Sequence, residues 1–155
     1  MRLTSRAFSS NSEIPSAYTC EGEDHPPPLA WTEAPAQAKS FALIVDDPDA
    51  PDPRAPQMTW VHWIVYNLPA STLALPDGGD LPAGAGEGVN DWKRVGWRGP
   101  CPPIGRHRYV FKLYALDAML PNLERPTKPQ LERAIEGHVL ARAELIGTYQ
   151  KKHAR

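Results

Sequence analysis

The stretch 99-GPCPPIGRHRYVFKLYALD-117 decides how the rest of the chain is read. Its second half is a strand: Tyr109, Phe111, Leu113 and Ala115 alternate with Val110, Lys112, Tyr114 and Leu116, and these residue types favour sheet. Its first half cannot be one. Pro100, Pro102 and Pro103 remove backbone donors, while Gly99 and Gly105 permit unusual dihedrals. A stiff loop therefore feeds directly into a largely apolar strand, and His107, Arg108 and Tyr109 stand at the junction. Polar side chains on rigid backbone lose little entropy when a ligand arrives, which is how binding sites are built.

Working outward, Ser40–Val45 (SFALIV) is a continuous apolar run, the signature of a strand buried on both faces, and is expected to end in the loop 46-DDPDAP-51. Thr59–Leu68 (TWVHWIVYNL) is a second strand, in which strict alternation puts Trp60, His62, Ile64 and Tyr66 on one face. Met1–Phe8 can hold a short first strand, and Tyr18–Cys20 reads as a short extended piece. Leu29–Trp31 reads as an edge strand because Pro26, Pro27 and Pro28 precede it. Ala70–Asp91 has no clear periodicity and reads as a long loop on the surface. Thr127 as N-cap, Pro129 in the first turn, and Leu131, Ala134, Ile135 and Val139 at helical spacing predict a helix to about Leu140. Ala143–Tyr149 follows as a final strand.

The bulk numbers bound the partners. The chain has 155 residues, read as a single domain (1–155), with 17 basic and 18 acidic side chains. There is no basic excess and no clear basic stripe before Lys151, Lys152 and Arg155 at the C-terminus, so nucleic acid is not an expected partner. No apolar run approaches the roughly 20 residues that span a bilayer. Met1–Ser10 lacks the apolar core of a secretory signal, so a cytoplasmic location is expected. Prolines number 18, about twice the usual share of roughly 5%, and suit an all-β protein with many ordered loops.

Three places combine reactive groups with rigid backbone: Asp47 with Asp49, His62 with Trp60, and His107 with Tyr109. The segments DDPDAP (46–51), TWVHWIVYNLP (59–69) and GPCPPIGRHRY (99–109) resemble the signature regions of the phosphatidylethanolamine-binding protein family. YTCEG (18–22), PPLAW (27–31), AGAGEGVNDW (83–92) and EGHVLARAELIGTY (136–149) resemble its bacterial Raf-kinase-inhibitor-like branch. The resemblance implies a mostly β fold: a β-sandwich of a larger and a smaller antiparallel sheet, with one C-terminal helix followed by a final strand. It also implies an anion pocket at one end, lined by Asp47, Pro51, Trp60, His62, Gly99, Cys101, Pro103, His107 and Tyr109, that takes a small anion such as phosphate or a phosphorylated headgroup. A protein partner (a kinase or a protease) and a homodimer are further implications. The compact Ile104-Gly105-Arg106 turn departs from eukaryotic members, so their partner specificity does not carry over.

In that role protonated His62 or His107 and the Tyr109 hydroxyl donate to the anion, and Asp47 fixes a histidine tautomer. Arg108, on the opposite side of its strand, pairs with Asp49 as a scaffold contact. Asp47, His62 and His107 also form a two-histidine, one-carboxylate set, but no local ligand spacing supports a metal, and neither metal nor cofactor is expected. Gly84–Gly88 (GAGEG) lacks the Lys-Ser/Thr of a phosphate loop. A Cys20–Cys101 disulfide is compatible with the motifs, whereas a reducing cytoplasm argues against it. The leading reading is a binding or regulatory module without turnover. The rival is a hydrolase using the Asp47/His62/His107 pocket, although the chain lacks a convincing nucleophile.

Overall fold

A computed structural model of the chain describes residues 1–153, so Arg155 of the basic C-terminal group lies outside the described residues. The elements are β1 (Arg2–Thr4), β2 (Ser12–Glu13), β3 (Leu29–Thr32), β4 (Ser40–Ala50), β5 (Met58–Pro69), β6 (Ala74–Leu75), β7 (Gly86–Glu87), β8 (Arg106–Leu116), α1 (Lys128–Ile135) and β9 (Val139–Gln150). They form two sheets, one in the order β1-β3-β6 and one in the order β2-β9-β8-β4-β5-β7. Neighbouring strands run antiparallel except the two-residue β2, which lies parallel to β9.

The continuous apolar run of β4 has the expected cause. β4 lies between β5 and β8 and is covered on both faces. On one face Phe41, Leu43 and Val45 join Phe111 and Leu113 of β8 and meet Leu3, Leu29, Trp31 and Leu75 of the small sheet. On the other, Ala42 and Ile44 pack with Leu131 and Ile135 of α1. α1 is tied down further by Asp46, whose Oδ2 accepts from Lys128 Nζ at 2.7 Å and from Lys112 Nζ at 2.9 Å.

Several boundaries differ from the sequence reading. β4 does not stop at Val45 but runs through Asp46-Asp47-Pro48-Asp49, because bulges let it leave the regular ladder without breaking. β3 is the central strand of its sheet rather than an edge; its prolines lie before the strand and leave both rims free to pair. Tyr18–Cys20, expected to be extended, begins at the end of a 3-10 turn over Ser16–Tyr18. Ala70–Asp91 contains the short strands β6 and β7. α1 ends at Ile135 instead of near Leu140: Gly137 takes φ +82°, and Val139 already belongs to β9.

The shared face expected for Trp60, His62, Ile64 and Tyr66 is broken. Val45 pairs with Trp63 and the next residue, Asp46, with Val61, so His62 is an extra residue without a ladder partner. The bulge puts Trp63 and Val65 in the inter-sheet core and Val61, Ile64 and Tyr66 against the helix side. The N-terminus of α1 is capped as expected: Thr127 Oγ1 accepts from Gln130 N, and Gln130 Oε1 accepts from Thr127 N at 2.9 Å. Thr127→Ala removes one arm of this box and is expected to lower the unfolding free energy by about 1 kcal/mol in a urea titration, with an unchanged slope.

Candidate functional site

The ladder between β4 and β8 ends at the pair Asp46–Val110. Beyond it carboxylates take over. Asp47 Oδ2 lies 2.6 Å from His107 Nδ1, with both side chains buried. Asp47 Oδ1 accepts from the Asp49 N–H at 2.7 Å, which locks the turn. Asp49 Oδ2 accepts from the Arg108 backbone N–H at 2.9 Å and from Nε at 3.0 Å, and Oδ1 accepts from Nη2 at 2.8 Å. The Arg108–Asp49 pairing expected from alternation is therefore a bidentate fork. Arg108 holds the Asp49 carboxyl below its ordinary range, against the opposing effect of partial burial.

The strands splay apart here and leave a pocket of about 210 Å³. Of the residues expected there, Asp47, Pro51, Trp60, His62, Cys101, Pro103, His107 and Tyr109 line it. Gly99 does not. It stands behind the wall, where its N–H donates to Asp24 Oδ1 at 2.9 Å, and a Cβ would collide with Tyr18 O and the Asp24 carboxylate. Ala50, Met58, Trp92 and Pro102 complete the lining. Trp92 is the addition that matters, since its ring meets His62 and Trp60 edge-on, with centroids 5.0 and 5.5 Å away. It comes from the long loop after β7, pinned to β5 by Asp91, whose Oδ2 accepts from Val61 N at 2.7 Å. The loop around it has no periodicity from which its path could be read.

The two histidines are shifted in opposite directions. His62 is buried, and its Nδ1 donates to Arg98 O at 2.5 Å. Burial pushes its pKa down to about 4 despite the carbonyl and nearby carboxylates, so the ring is neutral at pH 7. Nε2 then carries the lone pair and has no partner among the described residues. His107 is set the other way. Burial opposes its charge, but Asp47 on Nδ1 and the carbonyls of Ile104 (2.8 Å) and Pro51 (3.1 Å) on Nε2 raise its pKa above the usual 6.5. Both its nitrogens are spent on protein acceptors, so His107 has no N–H left for a ligand, unlike the role the sequence suggested. The buried Tyr109 hydroxyl has no partner among the described residues. Burial, with the charges of Asp47 and Asp49, pushes this phenol up and keeps it protonated.

Cys20 and Cys101 are bonded to each other, against the expectation drawn from a reducing compartment. The local cause is the Cys20 N–H, which donates to Pro100 O at 3.1 Å and brings the two Cα atoms to 5.4 Å, within disulfide range. Among the described residues no three His, Cys, Asp or Glu are grouped to hold a metal ion, and no helix is long and apolar enough to cross a membrane.

A carboxylate clamp between β4 and β8 beside a small aromatic pocket marks a two-sheet β-sandwich protein. The sequence matches the family described as phosphatidylethanolamine-binding protein over residues 4–150. It is 48% identical over 155 residues to a UPF0098 protein of Methanothermobacter thermautotrophicus, covering 97% of this chain and 99% of that one. The fold is similar to the phosphatidylethanolamine-binding protein homologue CT736 of Chlamydia trachomatis, at 45% identity and a TM-score of 0.91 with 97% of each chain covered. It is also similar to YbcL of E. coli, described as a member of the mammalian family, at 33% identity and a TM-score of 0.86, covering 97% of this chain and 98% of that one. The chain belongs to the phosphatidylethanolamine-binding protein family.

Two outcomes follow from this geometry. In an NMR pH titration His62 should titrate near 4 and His107 above 6.5. The signs for stability are opposite. Because the folded pKa of His62 is depressed, stability falls as pH drops from about 6.5 towards 4, by on the order of 3 kcal/mol. The contribution of His107, whose folded pKa is raised, is complete below 6.5 and is lost as pH climbs through the raised value. Denaturant titrations across that range read both slopes. Separately, thiol titration of the protein unfolded without reductant should find essentially no free thiol, since both cysteines are bonded. The double variant Cys20→Ser/Cys101→Ser should lose about 2–5 kcal/mol of stability.

Proposed function

We propose that this chain is a binding module that holds a small anion or phosphorylated headgroup in the pocket, without turnover. The observation that carries the reading is the unpartnered Tyr109 hydroxyl, buried in the pocket lining next to the neutral ring of His62. A buried hydroxyl without a partner costs about 1–3 kcal/mol, which an occupant offering an acceptor oxygen restores. Tyr109 donates to one phosphoryl oxygen, and His62 Nε2 accepts a hydrogen bond from a protonated one.

The charge balance selects the ligand's ionisation. His107, when protonated, and Asp47 compensate each other at 2.6 Å, so the pocket has no spare cation for a dianion. A singly charged phosphate ester that keeps a proton for His62 suits it better. The aromatic walls of Trp60 and Trp92 suit an ammonium or methylene tail, by cation–π attraction and apolar contact. Membership of the family supports a regulatory or inhibitory role towards a kinase or protease, and capture of such a partner at 1:1 stoichiometry tests it.

The hydrolase reading is weakened by the same geometry. The histidine that Asp47 orients is His107, and its other nitrogen already donates to backbone carbonyls. Cys101 is tied in a disulfide and offers no thiolate. Ester and phosphoester hydrolysis abolished by His62→Ala would reverse this conclusion.

Titration with phosphate and with phosphoethanolamine, followed by NMR, should shift the resonances of His62 and Tyr109. Tyr109→Phe should fold normally and bind about tenfold more weakly, the effect of removing one hydrogen bond to a charged group. If neither His62 nor Tyr109 responds to either ligand, the pocket is not the anion site.

A further inference from the structure

A second concavity, of about 670 Å³, opens beside the loop that carries Trp92, with Asn90, Lys93, Arg94, Trp97, Arg98 and Arg125 in its lining. Four of these are cations. In a chain whose charges otherwise nearly balance, with 17 basic and 18 acidic groups, this convergence is local and unpaired. Five cations elsewhere are paired, Arg108 with Asp49, Lys112 and Lys128 with Asp46, and Arg106 and Lys152 with Glu13, and what sets the four apart is that they line one space. None of the four makes an ion pair among the described residues. None of the nearby acids forms an ion pair with the four: Asp24 accepts from Trp97 Nε1 at 3.2 Å and from Gly99 N at 2.9 Å, Asp91 accepts from Val61 N, Glu87 accepts from Trp63 Nε1 at 2.8 Å, and Glu124 makes no ion pair among the described residues.

The backbone beneath the cations is preorganised. Asn90 is buried; its Oδ1 accepts from Trp92 N at 2.9 Å and Arg94 N at 3.2 Å, and its Nδ2 donates to Gly96 O at 3.0 Å. Lys93 is held at φ +63° and Arg125 at +60°, so the two loops present their side chains from fixed turns. The Arg98 guanidinium lies 5.2 Å above the Trp92 ring, which limits its freedom as well.

We infer that this basic concavity, formed by Lys93, Arg94, Arg98 and Arg125, is a second anion site that takes a compact oligophosphate group carrying three or more negative charges. Four like charges around one space repel each other, and a singly charged anion leaves most of that repulsion in place. Closely spaced phosphates relieve it and match the planar forks of three arginines. The concave shape fits a short phosphate chain, and the nearly neutral chain as a whole argues against an extended nucleic acid. The site is separate from the Tyr109 pocket, and this inference holds whether or not that pocket takes an anion.

The test is calorimetric titration of the full chain with inorganic tripolyphosphate, repeated by NMR to locate the responding residues. Binding should perturb the Trp97 indole and the backbone of 90–98, weaken steeply with added salt, and fall about tenfold or more in Arg94→Glu/Arg125→Glu. Both substituted side chains are exposed and hydrogen-bond nothing among the described residues, so the variant should fold, which an unchanged thermal melt checks. Lys93→Ala, a milder change, should lose affinity a few-fold. Adenosine triphosphate run in parallel separates the sources: equal affinity assigns the site to phosphates alone, and tighter binding assigns it to an ester. Absence of tripolyphosphate binding, a response confined to His62 and Tyr109, or unaltered affinity in Arg94→Glu/Arg125→Glu would overturn the inference.

Discussion

Where the backbone ladder between β4 and β8 stops, two carboxylates continue the connection, and the functional end of the molecule depends on that substitution. Asp47 and Asp49 hold β8 through a buried histidine and through a backbone N–H with its own guanidinium. Side chains are longer than a ladder hydrogen bond, so the two strands are held and spread at once. The space between them becomes the pocket, and its walls are rigid because every carboxylate oxygen has a donor. An unsatisfied charge here would either draw in water or protonate, and the pocket would lose its apolar lining.

The same clamp decides which groups remain for a ligand. Asp47 and the carbonyls of Pro51 and Ile104 take both nitrogens of His107. The backbone of Arg98 takes one nitrogen of His62, and burial removes its charge. Tyr109 keeps a buried donor with no partner among the described residues. The site thus presents a neutral donor and a neutral acceptor among aromatic rings, instead of the cationic pocket that two histidines suggest on paper. Free cationic charge lies elsewhere, around the loops that carry Lys93, Arg94, Arg98 and Arg125.

Much of the architecture was legible because it follows from local rules. A run such as SFALIV has no polar face, so it must be covered twice, and the structure covers it with the small sheet and with α1. Thr127 and Gln130 mark a helix start by their own chemistry. What was not legible came from places where pairing partners change the local rule. His62 and Trp63 are neighbours that share a side of the sheet only because β4 offers one residue where β5 offers two. Leu29–Trp31 looked like an edge because prolines stand next to it, yet donors missing before a strand do not limit pairing within it.

By itself the sequence determined the family, the two-sided burial of β4, the helix start, the scaffold role of Arg108 and most of the residues that line the pocket. The family and the pocket lining rest on the resemblance of three spaced motifs; the others rest on side-chain type and short-range spacing. The tertiary structure decided the rest. It brought Trp92 from a loop without periodicity to the wall of the pocket and moved Gly99 behind it. It joined Cys20 to Cys101 across 81 residues and favoured charge on His107 while disfavouring it on His62. Each of these depends on which groups arrive from elsewhere in the chain, and a histidine's charge in particular is a property of its neighbours more than of its own ring.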